Sequence, residues 1–150
     1  VMEGSHEERM DYSTLASYLV HAWRLSETSR IKPLIADQLS ATALVQWYQQ
    51  EEPDVIFTME HHCQAWLEDA GYRIPQDVGV FVFNCIERNS RKSGIYPEYE
   101  GLGSAAVEQV VGLLERGEFG VPAYARSLLV PGVWCEGRTI RALDTHSVPI

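Results

Sequence analysis

Glu60-His61-His62-Cys63 puts a carboxylate, two imidazoles and a thiol in four consecutive positions, and each of these groups is a zinc ligand. The spacing works against a metal. Neighbouring residues on a helix point about 100° apart, so His61 and His62 cannot both face one ion from a single turn. No Cys-x-x-Cys or similar cluster elsewhere completes a tetrahedral set, and His6 and Glu7 could join only if the fold brought them in. A hydrolase built on Glu60 and the histidines lacks a partner motif. The chain has no nucleophile elbow, P-loop or dinucleotide fingerprint. The expectation is therefore no metal, no cofactor and no catalysis. More informative are the polar residues that close two apolar runs: Thr58 and Glu60 after Val55-Ile56-Phe57, and Asn84 after Val78 to Phe83. In an open parallel sheet the carboxyl ends of the strands are where ligands bind. An amide such as that of Asn84 can both donate to and accept from a ligand hydroxyl.

The elements that would carry these residues can be read from pattern. Continuous apolar runs suit strands buried on both faces of a parallel sheet. Between the two runs Cys63, Trp66, Leu67 and Ala70 recur at helical spacing, and Gly71 supplies the stop. Upstream, residues 11–26 read as an amphipathic helix facing inward through Leu15, Leu19, Ala22 and Trp23. Pro33-Leu34-Ile35-Ala36 reads as a short strand ending at Asp37-Gln38, and Ser40 as the cap of a helix over 41–52. Residues 86–97 read as a polar, basic loop. A helix over 99–116 would bury Leu102, Ala106, Val110 and Leu113, and two short strands follow a connector. The alternation predicts an α/β fold, a three-layer αβα sandwich with a mainly parallel sheet. Residues 1–138 form the domain, and 139–150 a peripheral tail. Trp23, Trp47, Tyr48 and Trp66 are accounted for as packing residues.

Composition narrows the function. The chain has 150 residues, enough for one domain with a core, and 12 basic against 21 acidic side chains give a formal charge of −9. Phosphate neutralisation needs clustered Lys and Arg, so these residues alone should not bind DNA. No apolar stretch is long enough to suggest a membrane span. Three widely spaced cysteines, Cys63, Cys85 and Cys135, fit a reduced, cytoplasmic protein without a disulfide framework.

Several segments, in order, carry a family likeness. They are Pro53-Asp54-Val55-Ile56-Phe57, Gly71-Tyr72-Arg73-Ile74-Pro75-Gln76-Asp77-Val78, Val80-Phe81-Val82-Phe83-Asn84, Glu100-Gly101-Leu102-Gly103-Ser104-Ala105-Ala106 and Leu128-Leu129-Val130-Pro131-Gly132-Val133-Trp134. Together they resemble the C-terminal part of the effector-binding domain of the LacI/GalR (lactose repressor/galactose repressor) family of transcriptional regulators. The resemblance implies one lobe of a type I periplasmic-binding-protein-like fold that senses a small molecule, a sugar or other metabolite. Operator DNA would be bound only through an N-terminal headpiece that has no counterpart here, so the sequence reads as a fragment. Asn84 stands at the first aspartate of the family's Gly-Phe-Asp-Asp, which implies a hydrogen bond to the effector. Thr58, Glu60, Asp37 and Gln38 would share the cleft. Two positions depart from the family: Thr14 replaces a frequent arginine, and Gln38 a frequent aromatic. Either Arg9 and Tyr12 take over those parts, or the ligand is different or absent. The resemblance further implies a homodimer, with His62 and Trp66 on one helix and Arg91 and Lys92 on the following loop at the interface. The alternative is a periplasmic-type solute-binding protein for sugar uptake, which shares the fold.

Overall fold

The computed structural model describes residues 15–35, 39–121, 124 and 126–142. The chain divides into two compact units, Val1–Pro53 and Asp54–Ile150.

In the first unit the described part of helix α1 covers 15–22. A short 3-10 turn, Glu27–Ser29, follows. The guanidinium of Arg30 ties off the end of α1 by donating to the carbonyls of Ala22 and Leu25 at 3.1 and 3.2 Å, and it lies over the Trp23 ring. Helix α2, Ala41–Glu51, is capped as expected: the Ser40 hydroxyl accepts from the Ala43 N–H. The strand expected over 33–36 is not formed where it is described, because 31–35 are irregular. The backbone just before it is already engaged by helix side chains. Ile31 O accepts from Tyr18, Lys32 O accepts from Trp47 Nε1, and Lys32 N–H donates to Glu51. Of the face expected to pack on α1, only Ala22 is buried, while Leu19 and Trp23 are exposed.

The second unit holds strands β1 (Val55–Thr58), β2 (Gly79–Val82), β3 (Ser93–Tyr96) and β4 (Val133–Cys135), with helices α3 (Cys63–Asp69) and α4 (Tyr99–Glu115). The sheet order is β1-β2-β3-β4. The first three strands run parallel and β4 is antiparallel to β3. This is an α/β unit with a mostly parallel sheet, compatible with a layered αβα arrangement. Register places Ile56 beside Val80 and Thr58 beside Val82 on one face. That face is sealed, and α3 starts over it with Cys63 Sγ 3.4 Å from the Thr58 hydroxyl. Cys63 and Leu67 of α3 are buried as expected, whereas Ala70 is exposed. The opposite face carries a run of touching rings, Phe57–Phe81, Phe81–Phe83 and Phe81–Trp134, with centroids 5.1 to 5.9 Å apart. Phe57 remains 64% and Trp134 49% exposed. Helix α4 buries none of its residues, so the inward stripe expected through Leu102 and Val110 is not covered in this unit.

Two further corrections concern the sheet. The stretch 86–97 is not all loop, since β3 lies within it. Gly94 makes that strand possible: a Cβ there would fall 2.0 Å from the Val82 carbonyl oxygen, so only glycine permits the close backbone approach. Of the two strands expected after α4, one forms, and 128–130 are irregular. Within the segment expected as a peripheral tail, Thr139 is buried, and 143–150 lie outside the described residues. Thr139 is 3% exposed and fastens β2 to β3. Its hydroxyl donates to Val80 O at 2.6 Å and accepts from the Ser93 N–H at 2.8 Å, while its own N–H donates to the Ser93 hydroxyl at 3.3 Å.

Thr139→Val keeps the shape and removes the hydroxyl, leaving a buried donor and a buried acceptor unmet. The expected loss is about 1–3 kcal/mol of folding stability, read from urea unfolding midpoints. A midpoint unchanged within error would mean that Thr139 does not fasten these strands.

Candidate functional site

Parallel pairing of β1 and β2 brings two strand ends together. Thr58 pairs with Val82 in register, and Phe83 N–H donates to Thr58 O at 3.0 Å. The segments Met59–His62 and Phe83–Lys92 therefore leave the sheet side by side, at the edge where open α/β sheets receive ligands.

The first segment is organised by its own side chains. The Thr58 hydroxyl accepts from the Glu60 N–H at 2.8 Å, an ST-type turn. One carboxylate oxygen of Glu60 accepts from the His62 N–H at 2.9 Å and lies 2.6 Å from His62 Nδ1. Those contacts hold the Glu60 carboxyl below its ordinary value of 4.5, the backbone N–H of His62 first and its ring second. The ring of His62 in turn stacks on Trp66, with centroids 5.8 Å apart. Thr58 and Glu60, both expected to touch a ligand, are thus engaged in shaping the loop into α3. Among the described residues the other carboxylate oxygen of Glu60 takes no hydrogen bond.

The second segment contains Asn84. Its Oδ1 is a buried polar side-chain atom without a hydrogen-bond partner among the described residues. Cys85 follows, fully buried, with its thiol pushed up first by burial and then by Cys135, while Ser90 and Lys92 pull the other way. Cys63 is raised in the same manner by burial, again partly opposed by Lys92. All three cysteines are free. The Lys92 ammonium bridges the two segments by donating to His61 O.

Between them lies a cleft of about 220 Å³ lined by His61, Cys85, Ile86, Glu87, Ser90, Arg91 and Lys92. Sequence reasoning placed Arg91 and Lys92 at an interface with His62 and Trp66. In the structure His62 stacks on Trp66, and Arg91 and Lys92 line the cleft together with His61. Cys85, Glu87 and Ser90 were not foreseen as lining residues. A larger hollow, about 460 Å³, runs along α1 in the other unit beside Ala16, Ser17, Val20, His21 and Arg24. Arg9, Tyr12, Asp37 and Gln38 lie outside the described residues. Among the described residues no group of three or more His, Cys, Asp or Glu is disposed to hold a metal ion, and no helix is long and apolar enough to cross a membrane.

No protein-family model matches the chain, and neither a curated protein nor a solved structure does.

The Glu60 contacts make a pH prediction. A carboxyl whose folded-state value is depressed adds stability above its ordinary value, and that contribution is lost as pH falls through the depressed one. Carbon-detected NMR should place the Glu60 titration below 4.5. In His62→Ala it should move only part of the way back, because the backbone N–H survives the substitution. A wild-type midpoint at or above 4.5 would remove the loop geometry from consideration.

Proposed function

We propose that this chain is the C-terminal lobe of a LacI/GalR-type effector-binding domain, a type I periplasmic-binding-protein-like lobe. It would bind a small molecule, a sugar or other metabolite, beside the carboxyl ends of β1 and β2. The observation that carries the reading is the Asn84 amide oxygen at that edge, buried and without a hydrogen-bond partner among the described residues. A buried acceptor with no donor costs about 1–3 kcal/mol, and a ligand hydroxyl that displaced its neighbours would supply the missing donor. Residues at ligand edges are where such unmet groups are tolerated. The adjacent parallel strand ends support the same reading, as does the order of family-like segments along the chain.

In a regulator of this type two lobes close on the effector, and closure alters the spacing of paired DNA-binding headpieces. Such a switch works only through the ligand's differential affinity for the open and closed states. With a formal charge of −9, the present residues would contribute sensing, and DNA contact would belong to the headpiece. Regulation of this kind is cytoplasmic. The same lobe in a solute-binding protein for uptake is the alternative, and a helix-turn-helix or a secretion signal in the upstream coding sequence would decide between them.

The ligand role has a direct test. A thermal-shift screen of sugars and small metabolites on the two-lobe protein identifies a stabilising ligand, and Asn84→Ala should then weaken its binding by about 1–3 kcal/mol. The same substitution should leave the melting temperature of the free protein unchanged or raised, because it deletes an unsatisfied acceptor. Unaltered affinity in the variant would sink the assignment.

The reading also includes a homodimer through the outer side of α3. His62 is exposed and stacked on the half-buried Trp66, which forms a flat aromatic anchor. Across a two-fold axis one such patch is buried twice. Sedimentation should give a dimer for the wild type and a monomer for Trp66→Glu. A wild type that stays monomeric at high concentration would exclude this surface.

A further inference from the structure

The cleft between the two loops has a charge character that the sugar-sensor reading does not ask for. In a chain with nearly twice as many acidic as basic side chains, four described arginines of the second unit pair with carboxylates: Arg73 with Asp77, Arg88 with Glu98, Arg116 with Glu118 and Arg141 with Asp54. Arg91 and Lys92 differ in sharing one cleft. Both line the cleft, and among the described residues neither is paired with a carboxylate. Lys92 is held in place by a backbone carbonyl instead, that of His61, so its charge is positioned without being neutralised. Its field reaches both Cys63 and Cys85, opposing the rise in each thiol. Arg91 presents a planar fork of donors suited to two oxygens of one anion. Ser90 and His61 add further hydrogen-bonding groups to the lining, and Glu87 adds one acceptor suited to a hydroxyl.

We propose that this cleft binds a small hydroxylated oxyanion, a phosphate monoester or a hydroxy acid, with Arg91 and Lys92 on the charged oxygens and Glu87 on a hydroxyl. The volume limits the occupant. About 220 Å³ is below the roughly 300–1,000 Å³ of a whole small-molecule site, so the cleft takes a charged headgroup. It opens directly after Asn84 in the chain, so the rest of the ligand can extend along the strand ends. Arg91 and Lys92 are thereby assigned to ligand binding and not to a subunit contact. The inference deepens the sensor reading by naming the chemical class of its ligand. It rests on that reading for the word effector, although the site itself stands on the cleft alone.

The test is calorimetric titration of the 150-residue chain with glycerol 3-phosphate, inorganic phosphate, lactate and glycerol at fixed ionic strength. The variants are Arg91→Ala and Arg91→Lys, with Arg141→Ala as a control for non-specific charge. Arg91 is exposed and its removal should spare the fold, which circular dichroism checks, whereas Lys92 also bridges two loops. Glycerol 3-phosphate, lactate or both should bind, and glycerol should not. Arg91→Ala should raise the dissociation constant by about tenfold or more, the usual value of a charge-assisted hydrogen bond. Arg91→Lys should recover part of the loss, and Arg141→Ala should match the wild type. Glycerol 3-phosphate should bind more tightly than inorganic phosphate, and equal binding overturns a hydroxylated ligand held by Glu87. Absence of binding by every anion overturns the proposal, and so does equal weakening in Arg91→Ala and Arg141→Ala. If a neutral sugar found in the screen depends on Asn84 while no anion binds, the sensor reading survives and this one fails. If anions bind through Arg91 but no ligand depends on Asn84, the reverse holds.

Discussion

Everything of chemical interest in the second unit depends on one constraint, the parallel pairing of β1 with β2. Because Val55 stands opposite Gly79 and Thr58 opposite Val82, both strands finish at the same edge, and the two loops that follow must leave side by side. A hairpin would have put the end of one strand against the start of the next. The crossover through α3 is what parallel pairing requires. It also explains why the loop before α3 is so firmly organised. Thr58, Glu60 and His62 spend their hydrogen bonds turning the chain from strand into helix within a few residues.

The sequence was legible where a single residue type has a single mechanical reason to be in place. Ser40 as a cap, the helix stop at Gly71, and the apolar runs of β1 and β2 read directly. The strand β3 was harder, because Ser93-Gly94 looks like turn chemistry. Its glycine serves close approach to the Val82 carbonyl and not a change of direction, and a glycine cannot announce which of the two it does. Thr139 gave no signal at all, since one threonine in an unpatterned tail carries no periodicity. The 33–35 segment misled for the opposite reason: its apolar run has strand composition, but helix side chains hold the adjacent backbone. At the candidate site the residue types were visible and their engagements were not. Nothing in Thr58 or Glu60 as letters says that their oxygens are taken by the loop itself, or that the Asn84 oxygen is left over.

The two faces of the sheet differ in a way that composition hides. Ile56, Val80 and Val82 make one face aliphatic and closed. The other is aromatic, with Phe57, Phe81, Phe83 and Trp134 in mutual contact. Tilted and edge-to-face contacts add about 0.5–1.5 kcal/mol per pair beyond area burial, so the rings support one another across three strands even where they are not covered. A layered sandwich would place helices over this face, and the uncovered apolar stripe of α4 has the composition such a layer needs.

The position of Thr139 has a temporal consequence. Its side chain bonds to a residue 59 positions earlier, and its backbone and hydroxyl meet another 46 positions earlier. Contacts of such sequence separation slow folding, because the intervening chain must be ordered before they form. During synthesis the chain emerges amino end first, so β1, α3, β2 and β3 all leave the ribosome before the residue that fastens β2 to β3. Until then the seam between those strands relies on backbone pairing and Gly94 alone. Residues made after the cleft complete the sheet on which both of its loops are mounted, so a chain shortened before Thr139 would carry every residue of that cleft without the fastening between the strands that hold it in place.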